Sequence, residues 1–519
     1  LKTAFDSGYL VPIELQEIVP SDTVEMDAKV LARLAPVVTP VMDNVFLDLH
    51  AFFVPSRLIW NNFTKMMGER KNPNDSIDYL VPEIEVKAGA NFAIGSLADY
   101  FGLPVQQLTG NNCIKASILP FRAYQKIWDD WYRDENLQDS IIQSSDELGD
   151  TIADPSKWLA LRKRGKRHDY FTSGLPWPQK GEGVNLPLGD TTPVIGNGEP
   201  IGWRTTPNGV DKALSLFVNN QNYSVGVNSL PYPSSVGPSV TPGNSNDNTL
   251  YASRDPAHSG LIADLSQATA ATVNSLRMAF QIQRMLETDA RGGTRYVEII
   301  RNHFKTICPD ARLQRSEFLG SSTIPIVFSP VAQTSGTTEI SPQGNLAATA
   351  HAFGNLRFTK SFSEHGYLIV LASVRCDLNY QQGLDRLWSR RGRYDFYWPT
   401  LAHLGEQAIY NKEIFAQGTS DDDEVFAYQE RYAELRYNPS RITGKMRSGV
   451  TGSLDVWHLA QHFENLPQLS SDFIEEDPPL DRVLAVTEGE PQIIMDCYLG
   501  QKWTRPLPVY SIPGLIDHL

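Results

Sequence analysis

The sequence is poor in cysteine, contains no long apolar run and has no overall excess of positive charge. Its four cysteines, at positions 113, 308, 376 and 497, form no Cys-x-x-Cys pair, which argues against a disulfide framework and against a zinc site. No window approaches the roughly 20 apolar residues that a membrane-spanning helix requires, and residues 1–10 lack the apolar centre of a secretion signal. We therefore predict a soluble protein with reduced thiols that is not exported.

The sequence also lacks the short motifs of common enzymes. His458 and His462 have the spacing of zinc-protease ligands, but Leu459 stands where that chemistry needs a Glu, so we expect a structural histidine pair. Lys445 is followed by Met446 instead of the Ser or Thr of a phosphate-binding loop. There is no Gly-x-Ser-x-Gly elbow and no His-x-His ligand pair. These absences predict no catalytic residues, no cofactor and no metal.

What the sequence does contain is a large stock of aromatic, proline and glycine residues. The chain has 519 residues, with 10 Trp, 20 Tyr and 22 Phe beside 34 Pro and 37 Gly, which favours many short extended elements joined by turns. Its hydrophobic content of 41% and charged content of 20% are typical of a globular protein with a sizeable core. A mainly β fold is the expectation.

Alternation of apolar and polar residues predicts the strands. In the clearest case, the even positions from Val24 to Leu34 are apolar while charged residues fill most odd positions. Further strands are predicted at 45–54, 324–331, 367–380, 481–486 and 491–499. Because these strands lie far apart in the chain, they must pair non-locally, which favours two packed antiparallel sheets or a jelly roll over a parallel doubly wound sheet.

Two helices and one loop-rich segment are predicted between the strands. Phe121, Tyr124, Trp128 and Trp131 recur at helical spacing, and residues 264–288 are free of Pro and rich in helix formers. Residues 190–260 are rich in Pro, Gly, Asn, Ser and Thr and carry few charges, as expected for a surface protrusion. We predict one domain over 1–519, with this protrusion as an insertion.

Several long motifs carry a resemblance to a known family. They occur in order along the chain: FDSGYLVP (5–12), PVMDNVFLDLHAFFVPSRLIW (40–60), PDARLQRSEFLG (309–320), YQQGLDRLWSRRGRYDFYWPTLAHLGEQAIYNKEI (380–414), LDVWHLAQ (454–461) and PVYSIPGLIDHL (508–519). Together with the loop at 164–181 they resemble the major capsid proteins of the Microviridae, small icosahedral single-stranded DNA phages, in the gokushovirus branch.

The resemblance implies a fold, an assembly and a set of partners. It implies an eight-stranded antiparallel jelly roll with long inter-strand insertions, assembled through pentamers into a T=1 shell of sixty copies around a circular single-stranded DNA genome. It also implies an internal scaffolding protein, a DNA pilot protein, a bacterial surface receptor met by projections at the threefold axes, and residence in the virion after assembly in the host cytoplasm. The segment 205–258 occupies the place of the projection, and its Tyr223, Tyr232 and Tyr251 are candidates for host contact.

Two basic segments are candidates for facing the genome. Clustered Lys and Arg release counterions from DNA, so we name Arg162, Lys163, Arg164, Lys166, Arg167, Arg386, Arg390, Arg391 and Arg393. The alternative for the first five is a solvated loop or a set of inter-subunit ion pairs. The second segment interleaves arginine with aromatic residues, which also suits subunit interfaces, so the interface candidates are Trp177, Trp388, Tyr394, Phe396, Tyr397 and Trp398.

The charge of the chain predicts one more partner. At a formal −14 per chain, sixty chains carry 60 × −14, or about −840, and would repel DNA on average. A small basic DNA-packaging protein is therefore expected. The rival interpretations from other classes are a carbohydrate-binding protein or glycosidase on a β-sandwich, and a metal-dependent cupin, for which the required His-x-His pair is absent.

Overall fold

The structure is a computed structural model that describes residues 1–87, 92–105, 108, 112–184, 273–307, 314–337, 342–485 and 490–507. Between 194 and 263 it describes six short strands by their backbone alone. The chain divides into two compact units, one formed by Leu1–Lys180 with Glu287–Leu519 and the other by Gly181–Leu286. The insertion at 190–260 falls within the second unit, and its role as a protrusion stays a prediction.

Eight antiparallel strands form a nearly closed barrel. In chain order they are β1 (Lys2–Phe5), β2 (Val11–Ile18), β3 (Thr23–Leu34), β4 (Val45–Pro55), β5 (Glu317–Ala332), β6 (Leu346–Ser361), β7 (Gly366–Cys376) and β8 (Ile493–Thr504). Their hydrogen-bonded order is β1-β8-β3-β6-β5-β4-β7-β2. Two four-stranded layers result, β1-β8-β3-β6 and β2-β7-β4-β5, joined where β5 pairs with β4 along its first half and with β6 along its second. This order confirms the predicted jelly roll.

Long connections carry the elements outside the barrel. Residues 56–316 link β4 to β5 and hold the helices α1 (Leu119–Trp131), α2 (Val273–Arg291) and α3 (Tyr296–Phe304), while residues 377–492 link β7 to β8. Single-turn helices occur at Phe63–Met66, Leu97–Tyr100, Pro155–Leu159, Asn411–Ile414 and Ser471–Ile474. Two-stranded ribbons pair Glu83–Lys87 with Cys113–Ser117, Glu406–Tyr410 with Val425–Glu430, Ser215–Val218 with Gln221–Ser224, Trp203–Arg204 with Tyr251–Ala252, and Val194–Gly196 with Leu261–Ala263. Among the described residues, no helix has the length and apolarity to cross a membrane.

The barrel interior is built from alternate residues of each strand. On β3 the six even positions from Val24 to Leu34 are all buried, which confirms the predicted one-sided strand. They pack against alternate residues of β4 from Leu47 to Phe53 across the barrel. Each large aliphatic side chain buried in this way contributes about 1.5–3 kcal/mol. The predicted strand at 45–54 is likewise confirmed, with its end at Pro55.

β7 differs from its prediction because both of its faces are covered. The sequence pattern predicted a half-buried strand over 367–380 with polar residues facing solvent, but Ser373 and Arg375 are buried and the strand ends at Cys376. A second apolar cluster, made by the β4–β5 connection, packs on the outside of this layer against Phe52 and Ile369. A strand that is central in its sheet and covered on both faces has no solvent side for its polar residues.

Among the remaining strands, some were not predicted, two predictions had inexact bounds, and one prediction was wrong. β1, β2 and the sixteen-residue β6 were not predicted. The inward positions of β6 include Ala348, Ala350 and Ala352, whose small side chains give a weak alternation. The predicted strand at 324–331 lies within the longer β5, and the strand predicted at 491–499 begins at Ile493 and continues to Thr504 as β8. The prediction of a strand at 481–486 is wrong over its described residues. Leu480–Arg482 forms a 3₁₀ turn, and an isolated bridge pairs Leu484 with Val37.

The helix predictions hold where the chain is described. α1 buries Phe121, Tyr124 and Trp128 against the second apolar cluster, as its spacing predicted. α2 covers the described part of the segment predicted at 264–288 and continues to Arg291, while residues 264–272 lie outside the described part of the chain.

Candidate functional site

The basic run 162–167, here called the basic strap, lies between two other segments of the chain. Its backbone bridges Tyr9 on one side, and on the other Gly165 bridges Glu475. Arg162 lies over the Trp128 ring at 5.1 Å and its Nε donates to Gln125 Oε1 at 2.9 Å. The strap therefore ties the start of the chain to the β7–β8 connection.

Arg164, at the middle of the strap, inserts into the protein interior. Its Nη1 donates to Asp48 Oδ2 and to Ser373 Oγ, both at 2.8 Å. Arg375 Nε donates to the same Asp48 oxygen at 2.7 Å. Burial alone would raise the pKa of Asp48, but the two guanidinium groups hold it below its ordinary value. We call Asp48, Arg164, Ser373, Arg375 and Glu476 the buried charge junction.

Glu476 completes the junction from the β7–β8 connection. Its side chain is only 1% exposed, and burial raises the pKa of its carboxyl to about 7 even though Arg164, Lys166 and Arg375 lie nearby. The backbone N–H of Cys376 donates to its Oε1 at 3.4 Å. Nothing in the local sequence marked Asp48 or Glu476 as partners of the strap, because both lie far from it along the chain.

The other strap residues are engaged to different degrees. Lys163 Nζ lies 3.1 Å from Asp477 Oδ1, and Lys166 Nζ donates to the Phe473 carbonyl at 2.6 Å. Burial lowers the pKa of Lys166. Arg167, in contrast, is exposed to solvent. Four of the five cationic side chains in the strap therefore contact side chains or backbone carbonyls of their own chain.

The second basic segment lies in a loop whose arginines and aromatics separate into two sets. Arg386 Nη1 donates to Glu413 Oε1 at 2.9 Å, and Arg390 Nη2 lies 3.3 Å from Glu434 Oε1, so these two arginines fasten the loop to its base. Glu413 is buried, and this burial raises the pKa of its carboxyl. Arg391 is exposed beyond this base.

The aromatic residues of this loop are open to solvent. The side chain of Trp388 is 73% exposed and that of Tyr394 69%, and Phe396, Tyr397 and Trp398 are exposed as well. We call residues 384–404, which also expose Leu384, Leu387, Arg393 and Leu404, the aromatic loop. The loop keeps its shape through its own contacts: Trp398 Nε1 donates to the Arg393 carbonyl at 2.9 Å, and the Arg393 guanidinium lies 5.0 Å from the Trp398 ring.

A cavity of about 350 Å³ opens beside the aromatic loop. Tyr170, Arg386 and Glu413 line its floor, and Trp388 stands at its exposed side. The Tyr170 hydroxyl donates to Glu413 Oε2 at 3.0 Å, so the polar groups of the floor satisfy one another. The arrangement is a cavity with the exposed indole of Trp388 at its edge.

The remaining predicted residues lie elsewhere. Trp177 is half-buried, with Lys180 Nζ 6.0 Å from its ring. Tyr223 belongs to the strand Gln221–Ser224 and Tyr251 to the strand Tyr251–Ala252, while Tyr232 lies outside the described residues.

The predicted histidine pair, His458 and His462, lies in the β7–β8 connection. His458 is buried in extended backbone, not in a helix, and one of its ring nitrogens lies 2.6 Å from the Met446 carbonyl. Across the described ranges, no group of three or more His, Cys, Asp or Glu side chains is placed to hold a metal ion.

Known proteins match this chain over nearly its whole length, which includes the jelly roll and its insertions. A family model described as "Capsid protein (F protein)" matches residues 1–515. This chain belongs to that capsid protein family. The capsid protein is 46% identical to capsid protein VP1 of Bdellovibrio phage phiMH2K, over 99% of this chain and 93% of the relative. It is 40% identical to VP1 of Chlamydia phage 1 and 39% identical to VP1 of Spiroplasma virus 4, each over 99% of this chain and 94% and 93% of those relatives.

These matches confirm the resemblance to the gokushovirus branch of the Microviridae. The capsid protein is a structural component of a phage virion, and self-assembly into a shell is its role. It is not an enzyme, which removes the glycosidase and cupin alternatives.

Proposed function

We propose that the capsid protein forms a T=1 icosahedral shell of sixty copies, assembled through pentamers, around a circular single-stranded DNA genome. Its membership of a phage capsid family supports this proposal, as does the jelly roll, whose rigid barrel carries long insertions that are available for contacts between copies. Assembly in the host cytoplasm before residence in the virion is part of the same proposal.

The observation that carries the assembly proposal is the exposure of the aromatic loop. A Trp that is 73% exposed and a Tyr that is 69% exposed leave a large apolar area in water in the isolated chain. Aromatic and arginine side chains dominate the energetics of protein interfaces. We assign the aromatic loop, with Trp177, to contacts between neighbouring copies.

The other partners follow from charge. Sixty chains at −14 each give about −840, so a small basic packaging protein would neutralise the genome that this shell encloses. Of the nine basic candidates, Arg167 is exposed outside the aromatic loop and keeps the strongest support for contact with DNA. Arg391 and Arg393 are also exposed, but they lie in the loop that we assign to contacts between copies. The remaining six donate hydrogen bonds to groups of their own chain: Arg162, Lys163, Arg164, Lys166, Arg386 and Arg390. An internal scaffolding protein and a DNA pilot protein complete the proposed set of partners.

We assign attachment to a bacterial surface receptor to the insertion at 190–260. It is rich in polar and loop-forming residues and carries few charges, which suits a solvated protrusion. Tyr223, Tyr232 and Tyr251 are its candidate contact residues.

Replacement of the exposed aromatics tests the assembly proposal. We expect the double variant Trp388→Ser with Tyr394→Ser to fold with the parent's melting temperature, because both side chains lie in water in the isolated chain. We also expect it to lose shell formation, because each such contact is worth about 2 kcal/mol or more at an interface. Electron microscopy and sedimentation would show the loss of particles of about 3.5 MDa, the mass of sixty chains of 57.9 kDa.

The control is Leu80→Ser, which removes a still more exposed apolar side chain outside the aromatic loop. It should assemble as the parent does. Normal particle yield from the double variant would contradict the assignment of the aromatic loop, and absence of particles from the parent chain would contradict self-assembly.

A further inference from the structure

The outer face of the β1-β8-β3-β6 layer is uncovered in the described part of the chain. On β3 every second side chain points into the barrel and is buried, and on β6 and β8 the same alternation holds with inward positions that are buried or half-buried. The intervening side chains point away from the barrel. On this outer face Phe353 is 73% exposed and Tyr498 68%, and Ile494 and Leu31 are exposed as well. The sister layer β2-β7-β4-β5 carries the second apolar cluster on its outside. Within the described ranges, the barrel therefore has one covered side and one bare side.

The bare face mixes apolar and charged side chains in rows across three strands. The pairing register places three residues in each row, one from β3, one from β6 and one from β8: Lys29 with Asn355 and Tyr498, Leu31 with Phe353 and Asp496, and Arg33 with His351 and Ile494. Directly paired residues in such a sheet lie about 5 Å apart, and successive rows are about 7 Å apart. Positions that carry aromatic rings and positions that carry cations are therefore neighbours on this face, about 5–7 Å apart.

Basic side chains outnumber acidic ones on this face. Among the described residues the bases are Lys2, Lys29, Arg33, Arg357 and Lys502, and the acids are Glu25, Asp27 and Asp496, a balance of 5 − 3 = +2 on a chain of −14. Two of the acids are close partners of bases on the same face, Asp496 with Lys2 at 2.7 Å and Asp27 with Arg357 at 2.9 Å. Lys29 and Lys502 lie 4.0 and 3.9 Å from the nearest carboxylate, and Arg33 makes no ion pair within the described residues.

We propose that this bare face binds single-stranded nucleic acid and forms part of the inner wall of the shell. The core of an interface between two proteins is depleted of charged residues. On this face, in contrast, eight charged residues are spread over the strands. Sites for single strands combine cations, which follow the phosphates, with aromatic rings, on which the bases stack. The inference rests on the proposed function, since it places the genome against this layer. Lys29, Arg33 and Lys502 would contact phosphates, and Phe353 and Tyr498 would stack on bases.

Titration of the purified, unassembled full chain with a fluorescently labelled poly(dT) oligonucleotide tests the proposal. We expect Phe353→Ala and Tyr498→Ala each to weaken binding about tenfold, the usual effect of removing one stacking ring. We expect Lys29→Gln with Arg33→Gln to lower the slope of log affinity against log salt concentration by about 1.4, because each phosphate contact on a single strand contributes about 0.7.

The matched control is Arg70→Gln with Lys71→Gln, which removes two exposed cations in the 56–316 connection. This control should keep the parental salt slope. Unchanged oligonucleotide binding by the face variants would overturn the proposal. So would face variants that bind the oligonucleotide normally but form no particles, since the face would then be a contact between copies. Particle formation, scored separately by electron microscopy, distinguishes failure of this inference from failure of the assembly proposal.

Discussion

At the scale of single residues, the buried charge junction shows how a cationic run can serve the interior. Arg164 and Arg375 share Asp48, so two guanidinium groups are held by one carboxylate at distances of 2.7–2.8 Å. Breaking one partner of such a buried group costs several kcal/mol, because the other charge is left without compensation. Glu476 lies beside these groups yet keeps a raised pKa, so burial outweighs the attraction of the nearby cations.

Glu476 gives the capsid protein a pH-dependent stability. Its pKa is about 7 in the folded chain and 4.5 ordinarily, so folding favours the protonated form. The stability that this carboxyl contributes is complete below pH 4.5 and is lost as the pH rises through 7. Glu476→Gln, which stays neutral, should therefore gain stability over the parent by about 3 kcal/mol at pH 8 and show little difference at pH 4.5.

Chemical unfolding at a series of pH values would measure this difference. Glu69→Gln, which changes an exposed carboxylate, serves as the control and should follow the parent at every pH. A constant difference between Glu476→Gln and the parent from pH 4.5 to 8 would contradict the prediction, because it would show that folding does not raise the pKa of this carboxyl.

At the scale of elements, the short connection between β1 and β2 is a point where three segments meet. The Gly8 N–H donates to the Val374 carbonyl of β7 at 2.9 Å, and the Gly8 carbonyl accepts from the Arg164 N–H of the strap at 2.8 Å. Gly8 has a φ of 79°, and a Cβ at this position would lie 2.2 Å from the Glu476 carbonyl oxygen. Only glycine fits there.

Gly8→Ala should consequently destabilise the capsid protein by about 2–5 kcal/mol. The left-handed backbone conformation accounts for about 1–2 kcal/mol, and overpacking against the Glu476 backbone accounts for the remainder. Gly102→Ala is the matched control, because its φ of 84° is similar but no atom lies within 4 Å of the added carbon. Thermal unfolding of both variants would separate the two effects, and equal losses would exclude the steric contribution.

At the scale of the whole molecule, attachment and assembly are assigned to separate parts of the chain. The barrel and the aromatic loop belong to one compact unit, and the insertion at 190–260 lies in the other. A chain in which 205–258 is replaced by a short Gly-Ser linker should still form particles. Those particles should adsorb poorly to host cells, since the proposed contact tyrosines are removed.

Particle yield by electron microscopy and adsorption to host cells would measure the two properties of this deletion. Reinsertion of the parental segment into the same linker background is the control and should restore adsorption. Loss of assembly with attachment intact would refute the division of roles.

The sequence by itself determined that the fold is mainly β and indicated several of the barrel strands. Strict alternation from Val24 to Leu34 identified a strand with one buried face, and the order of long motifs identified the capsid family. Both signals could be read from the sequence because each lies in the order of residues along the chain. β6 escaped this reasoning because alanine and glycine on its inner face give little contrast between apolar and polar positions.

Only the tertiary structure decided where the charges and bare surfaces lie. Arg164 and Arg375 occur in patterns typical of solvent-exposed residues, yet both are buried. Their partner Asp48 is brought to them by the pairing of β4 with β7 and by the strap that crosses this layer. Likewise, alternation gave β3 an outward face, but only the tertiary structure shows that the β4–β5 connection packs on the other layer and that the described residues leave this face exposed. Burial and exposure depend on contacts between residues far apart in the chain, and a local pattern does not contain them.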